Sequence, residues 1–521
     1  MALTKAKFGV ISSALASGNA TDGYVLTADG SGNSAWEEVA GGPTHKTFGT
    51  SSIMIGDNAT GTIDAANNNT GVGVDVFAAL TSGDDNVAIG KGAMTANTTG
   101  GSNVAVGSIA LDANTTGVSN VAVGKGSLST ATTASSNTAM GANALNACTT
   151  GGTNTAIGSG AGESITTGQR NVFVGIEAGA TMTTGQENCY VGRLAGKLAT
   201  SGYSTGVGTE VLYNNTGNHN TSVGIQSMLT NTSGVNNTAL GAYALKTNST
   251  GSSNVAIGYK ALEDFTGNNT VAVGYASLAN ATGADNTGLG HQTGENITSG
   301  AYNTCVGHNA GNTMTSPTYN TLVGYNAGQG SYPLTTGSSC TMVGALARPS
   351  GTLGNANGEN VFGFNMSASG TNTTTLGSGG SGLYASHGSN SWTSISDERY
   401  KKDIVDSEVG LSFINDLRPR NFKWKTCGEV PSDTPRYEEN SDELINLNLT
   451  GVMHGFIAQE VKAVIDNHSE VPNNQLIWKQ DPDGIQGLAE GELVPVLVKA
   501  VQELSAKNDA LEARIETLEG E

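Results

Sequence analysis

The stretch NVAIGKGAMTANTTGGS, residues 86–102, recurs along this chain with small changes and decides its fold. The next copy, NVAVGSIALDANTTGVS, spans residues 103–119, and the shared pattern is N-(T/V)-x-(I/V/L)-G-x-x-A-(L/M)-x-x-x-x-T-x-G. The key glycine recurs every 16 or 17 residues from Gly56 to Gly324, and looser copies follow as far as Gly377. Self-similarity at a fixed period indicates a repeat architecture.

Each repeat is too short for a strand with a crossover helix, but it can hold two short strands and two turns. The alternation in N-V-A-I-G places Val and Ile on one face and Ala on the other, and the A-L or A-M segment adds one inward apolar residue. Gly and Asn supply the left-handed conformations that the corners need. We therefore predict a mainly β fold, with a β-solenoid or β-roll shaft over residues 49–380, stacked at about 4.8 Å per rung.

The shaft is predicted to be trimeric. One rung supplies few apolar side chains, so a single coil would bury little and would leave an aliphatic face in water, which association of several chains would cover. The repeat resembles the head repeats of trimeric autotransporter adhesins, which use a comparable NSVAIG unit, although the period here is longer. That resemblance covers roughly residues 50–380.

Three other functions of the repeat fit the sequence less well. A calcium-binding GGxGxD coil needs an aspartate in every rung, and none recurs in register. An ice-binding surface needs a flat TxT array, whereas the threonines here cluster in NTTG and NSTG segments. A polysaccharide-degrading solenoid needs gathered carboxylates, but the acidic residues are scattered, with adjacent pairs at Asp84/Asp85 and Glu263/Asp264. The repeat is therefore predicted to be structural.

Composition excludes several classes of partner. The net charge of −20 argues against nucleic acid and against an anionic membrane surface. No apolar run reaches the roughly 18 residues of a membrane span, and the N-terminus is interpreted as mature sequence rather than a secretion signal. The five cysteines form no CxxC motif, which is typical of a protein made in a reducing cytoplasm. Neither a metal nor a cofactor is expected.

From residue 391 the chain changes character, with 25 acidic and 13 basic residues before its end. Val409, Phe413 and Leu417 have helical spacing before a proline. RNFKWK alternates like a strand, and HGFIAQEVKAVI is typical of a strand that enters an amphipathic helix. Residues 396–521 are therefore predicted to form a separate, small α+β domain.

The C-terminal residues predict a coiled coil over 494–519. Apolar residues and one asparagine occupy alternate a and d positions of four heptads. These positions are Val494, Leu497, Val501, Leu504, Asn508, Leu511, Ile515 and Leu518. The other faces of this stretch are polar, so self-association is favoured over packing of the helix on its own domain.

The segment SISDERYKKDI, residues 394–404, lies at the boundary between repeat and tail. Ser396 and Lys401 are close enough along the chain for a neutral lysine amine to take the serine proton and make it a nucleophile. Ser396 could instead be the N-cap of a short helix, followed by Asp397 and Glu398. Spacing alone favours this N-cap interpretation over a nucleophile.

SDERYKKDI, LSFINDLRPRNFKWK, GFIAQEV and LVPVLVKAVQELSAKNDALEARIETLE occur in this order over residues 394–521. Together they resemble the intramolecular chaperone autoprocessing domain found at the C-termini of phage tailspikes, tail fibres and endosialidases. The resemblance implies a domain that trimerises through its C-terminal helices, holds three shaft strands in register and then cuts itself off. It also implies Ser396 as nucleophile, Lys401 as general base and Ile395–Ser396 as the bond that is cut.

Other residues of the motif are given lesser roles. Lys402 is the fallback base, and Ser394 is a weaker nucleophile because no DER follows it. Tyr400 stands where the family motif has a leucine, and we expect little effect from it. The residues predicted to support the site are Asp397, Arg399, Lys402 and His454.

The sequence thus predicts a homotrimeric phage tail fibre or receptor-binding shaft, made in the host cytoplasm and located in the virion. Residues 1–48 are expected to attach it to a tail or baseplate protein, and residues 381–395 to form a distal linker or tip, with 364–394 as the candidate tip surface. The receptor is expected to be a host-surface glycan or protein. A trimeric cell-surface adhesin and a polysaccharide-degrading tailspike remain the alternatives.

Overall fold

The computed structural model describes most of the chain. The described residues are 24–28, 34–38, 44–46, 51–56, 65–330, 333–351, 354–379, 381–389, 391–394, 396–445, 451–472, 477–481 and 483–520. Most of the predicted attachment segment 1–48, and Ile395 of the predicted cleavage site, lie outside these residues. The chain divides into two compact units, Met1–Ile395 and Ser396–Glu521, and each is described by itself.

The first unit consists of short strands, of which the first two form a separate antiparallel pair and the others pair in chain order. Its strands are β1 Tyr24–Ala28, β2 Ser34–Glu38, β3 Thr44–Lys46, β4 Ile53–Gly56, β5 Thr70–Val72, β6 Val87–Ile89, β7 Val104–Val106, β8 Val121–Val123, β9 Thr138–Met140, β10 Thr155–Ile157, β11 Val172–Val174, β12 Cys189–Val191, β13 Thr205–Val207, β14 Thr221–Val223, β15 Thr238–Leu240, β16 Val255–Ile257, β17 Val271–Val273, β18 Thr287–Leu289, β19 Thr304–Val306, β20 Thr321–Val323, β21 Thr341–Val343, β22 Asn360–Phe362, β23 Thr373–Ser378, β24 Ser381–Ser386 and β25 Thr393–Ser394. Strands β4 to β23 pair in parallel, one per rung, which makes the unit a β-solenoid. Antiparallel strands, β3 at one end and β24 at the other, pair with the two terminal rungs.

Each rung contains one strand, so the prediction of two strands is wrong. The A-L segment forms consecutive turns instead, in which Ile109 and Leu111 take positive φ values of 53° and 51°. Such a conformation is uncommon for residues other than glycine. It persists because Leu111 still points inward, fully buried, and its N–H donates to the carbonyl of Ser127 on the next rung at 3.0 Å. The predicted inward apolar residue is therefore present without a strand around it.

The strand itself has one inward and two outward positions. The central residue of each strand is buried, as Ala88, Ala105 and Ala122 show. The last residue of each strand faces outward, and these residues are called the outer ladder. The outer ladder of β5 to β22 comprises Val72, Ile89, Val106, Val123, Met140, Ile157, Val174, Val191, Val207, Val223, Leu240, Ile257, Val273, Leu289, Val306, Val323, Val343 and Phe362. In the single chain this apolar ladder contacts water, and Ile89 is 40 % exposed.

Buried asparagines join the rungs side by side. Asn137 lies just before its strand, and its backbone N–H donates to Oδ1 of Asn120 at 3.0 Å. Its side chain donates to the carbonyl of Gly151 at 2.9 Å, and its own Oδ1 accepts from the N–H of Asn154 at 2.9 Å. Because buried amides need partners, asparagine recurs at this place in most rungs. Other residues take the place in a few rungs, among them Ser204, Thr270, Cys340 and Glu359.

The key glycines stack just as closely. Gly158 has a φ of +138°, and a Cβ built on it would lie 2.4 Å from the carbonyl oxygen of Gly175 on the next rung. Real Cβ atoms do not approach an oxygen so closely, and the φ value is one that residues with a side chain avoid. The strict spacing of the key glycine thus has two physical causes.

The second unit is a small α+β domain. Its elements are the strands β26 Arg420–Phe422, β27 Met453–Gly455, β28 Trp478–Gln480 and β29 Gln486–Leu488 and the helices α1 Leu411–Asp416, α2 Ala458–Asn467 and α3 Leu493–Glu519. Two short 3₁₀ helices span Glu398–Tyr400 and Glu490–Glu492. None of the helices in the described part of the chain combines the length and apolarity that a membrane span requires.

A compact apolar cluster holds these elements together. Phe413 of α1 is its fully buried centre, and Val461 of α2 and Val496 of α3 pack in the same cluster. Helix α1 is shorter than the predicted helical stretch, since it begins after Gly410. Its first N–H, on Leu411, donates to the carboxylate of Glu503 on α3 at 2.9 Å, which ties the two helices together.

His468 carries two ion pairs at the edge of this cluster. Its ring packs edge-on against Phe413, with centroids 5.4 Å apart, and its side chain is 8 % exposed. Its Nδ1 lies 2.6 Å from Glu470 and its Nε2 lies 2.8 Å from Asp416. These contacts with Glu470 and Asp416 raise the pKa of His468 above its usual 6.5, and the imidazolium lowers the pKa of Glu470.

We expect the second unit to lose stability as pH rises from about 6 to about 8. A raised folded pKa means that the stabilisation from charged His468 is fully present below the unfolded pKa and disappears as pH passes the folded pKa. Urea unfolding followed by tryptophan fluorescence at pH 6 and pH 8 measures this difference. His468→Gln keeps a hydrogen-bonding side chain without the charge, so the free energy of unfolding of this variant should depend less on pH. If the free energy of unfolding of the variant fell equally between pH 6 and pH 8, His468 would be excluded as the cause of the pH dependence.

Candidate functional site

Ser396 and Lys401 meet at the first residues of the second unit. The Lys401 Nζ donates a hydrogen bond to the Ser396 Oγ at 2.8 Å. The 3₁₀ turn Glu398–Tyr400 between them brings the two side chains together, and the Lys401 N–H closes the turn on the carbonyl of Glu398 at 3.0 Å. Local chain geometry therefore produces the contact.

Asp397 caps this turn. Its Oδ1 accepts from the N–H of Arg399 at 2.9 Å, and its carboxylate also binds the Arg399 guanidinium through Nε at 2.9 Å and Nη2 at 2.5 Å. The hydrogen bonds from the Arg399 side chain and then from its N–H lower the pKa of Asp397. Because Asp397 is the cap, the Ser396 hydroxyl is not used for capping and accepts from Lys401 instead.

A serine hydroxyl in contact with a lysine amine can act as a nucleophile with its base. Hydrogen-bond contact between the two groups is the geometric requirement for proton transfer. Both side chains are exposed to solvent in the single chain. Ile395, whose carbonyl would be attacked, lies outside the described residues, as does the side chain of Tyr400.

The other residues predicted for the site do not take part in the hydrogen bond between Ser396 and Lys401. Lys402 is exposed, and the lysine partner of Ser396 is Lys401. Ser394 is exposed at the end of β25. His454 is exposed on β27, opposite Asn421 of β26. In the described part of the chain, no hydrogen bond joins His454 to the Ser396–Lys401 pair, so its predicted supporting role stays a prediction.

A groove in the second unit lies apart from this pair. It has a volume of about 500 Å³ and is lined by ten residues, among them Trp424, Pro431 and Ile485, but neither Ser396 nor Lys401. Arg420 and Glu460 hold the neighbouring segments together through two hydrogen bonds of 2.8 and 2.5 Å. The spacing in the sequence did not indicate this contact, since its partners are 40 residues apart.

Helix α3 has a buried face and an exposed apolar face. Leu493, Val496 and Ala500 pack into the second unit. The predicted a and d residues lie on the adjoining face, and their apolar members are all exposed in the single chain. They are Val494, Leu497, Val501, Leu504, Leu511, Ile515 and Leu518. A regular apolar seam with this exposure is typical of a helix that pairs with further helices.

Residues 396–470 match the family described as chaperone of endosialidase, a family of self-cleaving chaperone domains. The match begins at Ser396. Comparison with curated proteins and with solved structures yields no match. The β-solenoid and the chaperone domain together characterise a tail-fibre-like or adhesin-like protein that carries an intramolecular chaperone.

Proposed function

We propose that this chain is the subunit of a homotrimeric phage tail fibre whose C-terminal unit drives assembly and then removes itself by cutting the Ile395–Ser396 bond. The observation that carries the proposal is the 2.8 Å hydrogen bond between Lys401 Nζ and Ser396 Oγ. It lies at the first residue of the chaperone match and at the boundary between the two units. The match to a self-cleaving family supports the same chemistry.

The proposed reaction conserves atoms and protons. Lys401, as a neutral amine, takes the proton of the Ser396 hydroxyl, and the oxygen attacks the carbonyl carbon of Ile395. An ester bond to Oγ forms, the bond to the Ser396 nitrogen breaks, and the leaving amine takes the proton from Lys401. Water then hydrolyses the ester, which leaves a carboxylate on Ile395 and a free Ser396 hydroxyl.

Cleavage is proposed to follow assembly. Lysine acts as a base in its neutral form, and burial favours that form. Ser396 and Lys401 are both exposed in the single chain, so burial of this pair has to come from neighbouring chains. If the Ser396–Lys401 pair becomes active only after trimerisation, the chaperone domain is not released before the trimer has formed.

The shaft explains why a chaperone is needed. Consecutive rungs are nearly identical in their strands, and a one-rung slip between chains would preserve the inward and outward alternation. Contacts between chains also form slowly, because they join residues with no local connection. A coiled coil at one end raises the effective concentration of the other two chains and sets their stagger. After cleavage the fibre would be held by slow unfolding rather than by a template.

Two apolar surfaces of the chain support self-association. The outer ladder runs along every rung of the solenoid, and the a and d seam of α3 runs along the C-terminal helix. Exposed patches of this extent mark interaction surfaces. A partner that follows the whole outer ladder needs the same repeat length, which another copy of this chain has.

Leu504→Asp is expected to convert the protein from a trimer to a monomer and to abolish cleavage. Leu504 is 56 % exposed in the middle of the α3 seam, where a carboxylate would be buried in the coiled coil. Sedimentation and intact mass measure both effects on the same sample. Ser505→Asp adds the same charge at a neighbouring exposed position and should leave both unchanged. A monomeric variant that is still cleaved would separate the chemistry from assembly and contradict their coupling.

The attachments of the fibre are part of the proposal. Residues 1–48 would bind a tail or baseplate protein, and the shaft with its segment 364–394 would bind a glycan or protein of the host surface. The antiparallel strands β24 and β25, which follow the last parallel strand β23, support this orientation because cleavage would leave them at the new C-terminal end.

A further inference from the structure

One column of the solenoid carries a stack of exposed rings. The column is the position directly after the key glycine, and on five consecutive rungs it holds Tyr259, Tyr275, His291, His308 and Tyr325. Their ring centroids are 5.3, 5.0, 4.8 and 5.5 Å apart in chain order, with interplanar angles of 28° or less. The stacking covers the ring faces and presents the ring edges to solvent.

The stack is interrupted by one rung. After Tyr325 the column continues with Ala345 and then Phe364. The N–H of Leu346 donates to the carbonyl of Tyr325, and the N–H of Asn365 donates to the carbonyl of Ala345, both at 2.8 Å. These bonds show that the three positions lie on consecutive rungs. A methyl group therefore stands between two rings, where the neighbouring rungs carry a ring each.

The two flanking rings are somewhat more exposed than the tyrosine inside the stack. Tyr325 is 54 % and Phe364 is 57 % exposed, against 48 % for Tyr275. Two rungs correspond to about 10 Å, and stacked rings lie roughly 5 Å from their neighbours. The space above Ala345 is thus one ring thick and bounded by a ring on each side.

We propose that this slot binds one pyranose ring of a host-surface glycan, with Tyr325 and Phe364 against its two faces and Ala345 as the floor. The inference rests on the proposed function, in which the shaft binds a receptor. A pyranose has C–H faces that pack against aromatic rings and hydroxyl groups around its edge. The slot supplies both apolar walls, and the adjoining column supplies a row of tyrosine hydroxyls and imidazole nitrogens.

The row of ring edges favours a glycan over an aromatic side chain as the occupant. An aromatic side chain would fill the slot but would leave the hydroxyls and imidazoles of His308, His291 and Tyr275 without a use in binding. The following sugars of a glycan carry hydroxyls that can hydrogen-bond to those edges, one rung after another. Pockets that combine apolar walls with a few polar groups are typical of small-ligand sites.

Saturation-transfer NMR with the complete chain tests the slot. The probes are the methyl glycosides of glucose, galactose, mannose and N-acetylglucosamine, together with phenol. We expect saturation of the C–H protons of at least one glycoside, lost in Ala345→Phe, which fills the slot, and at least tenfold weaker in Phe364→Ala. Ala142→Phe is the matched control, since it adds the same ring to the same column between Lys125 and Ser159, and it should bind like the parent.

The opposite results would overturn the proposal. These are the absence of glycoside saturation in the parent, equal saturation in Ala345→Phe, or saturation of phenol alone, which would indicate an aromatic side chain. Sedimentation and intact mass of the same samples distinguish this site from the proposed function. Loss of the trimer in Ala345→Phe would make the column an interface between chains and overturn the slot. Glycoside binding by a parent that is monomeric or uncut would support the slot and contradict the proposed function alone.

Discussion

Replacing Ser396 by alanine is expected to leave the chain at its full 521 residues, whereas the parent is expected to be cut into fragments of 395 and 126 residues. Without the Oγ, no ester to Ile395 can form, so the loss should be complete. Lys401→Arg should slow cleavage by roughly 10²–10⁴-fold, because arginine keeps the charge and the hydrogen bond but cannot act as a base. Intact mass after a time course measures both variants.

Two neighbouring residues provide matched controls for this experiment. Lys402→Arg alters the adjacent exposed lysine, and Ser394→Ala removes the alternative nucleophile on β25. Both should be cut like the parent, and the new N-terminus should be Ser396. If Ser396→Ala were still cut, or if Ser394→Ala alone remained uncut, the nucleophile would be a residue other than Ser396. An uncut but trimeric parent would make the second unit a permanent trimerisation clamp.

Gly158→Ala is expected to cost about 3 kcal/mol of the free energy of unfolding. The backbone at Gly158 has a φ of +138°, and the new Cβ would lie 2.4 Å from the carbonyl oxygen of Gly175. The adjoining rung would have to move away, which would weaken the strand pairing between β10 and β11. Urea unfolding followed by far-UV circular dichroism, in the Ser396→Ala background that keeps the chain whole, measures the loss.

The control for the glycine experiment is the next residue along the chain. Ser159 is exposed, so Ser159→Ala adds no contact with the adjacent rung and should stay within about 0.5 kcal/mol of the parent. Equal stability of the two variants would mean that the rungs separate without cost at this position. Close packing of the backbones would then not explain why glycine recurs at this position.

The repeat was predictable because its cause is local and recurs. Most rungs have a glycine where backbones touch and a buried asparagine before the strand, so both appear in the sequence at fixed spacing. The second strand was predicted wrongly because alternation of apolar residues does not distinguish an extended segment from consecutive left-handed turns. Leu111 points inward in either case. A leucine in the sequence does not indicate the positive φ of 51° that this residue takes.

The site shows the same contrast between near and distant neighbours. Ser396 and Lys401 are five residues apart, so one 3₁₀ turn joins them, and their contact could be anticipated. The pairing of His468 with Asp416 spans 52 residues and depends on how α1 meets the end of α2. The ring column escaped notice because 5 % aromatic residues over the whole chain conceals their concentration at one position of a few rungs.

The identical joints between rungs have a consequence for how such a protein can evolve. Most of the asparagine and glycine joints meet the same joint on the next rung, as Asn137 meets Asn154 and Gly158 meets Gly175. Loss or duplication of one whole unit of the gene would therefore rejoin matching surfaces. The length of the solenoid could change in fixed steps of about 4.8 Å, with the residues before and after the repeats left untouched.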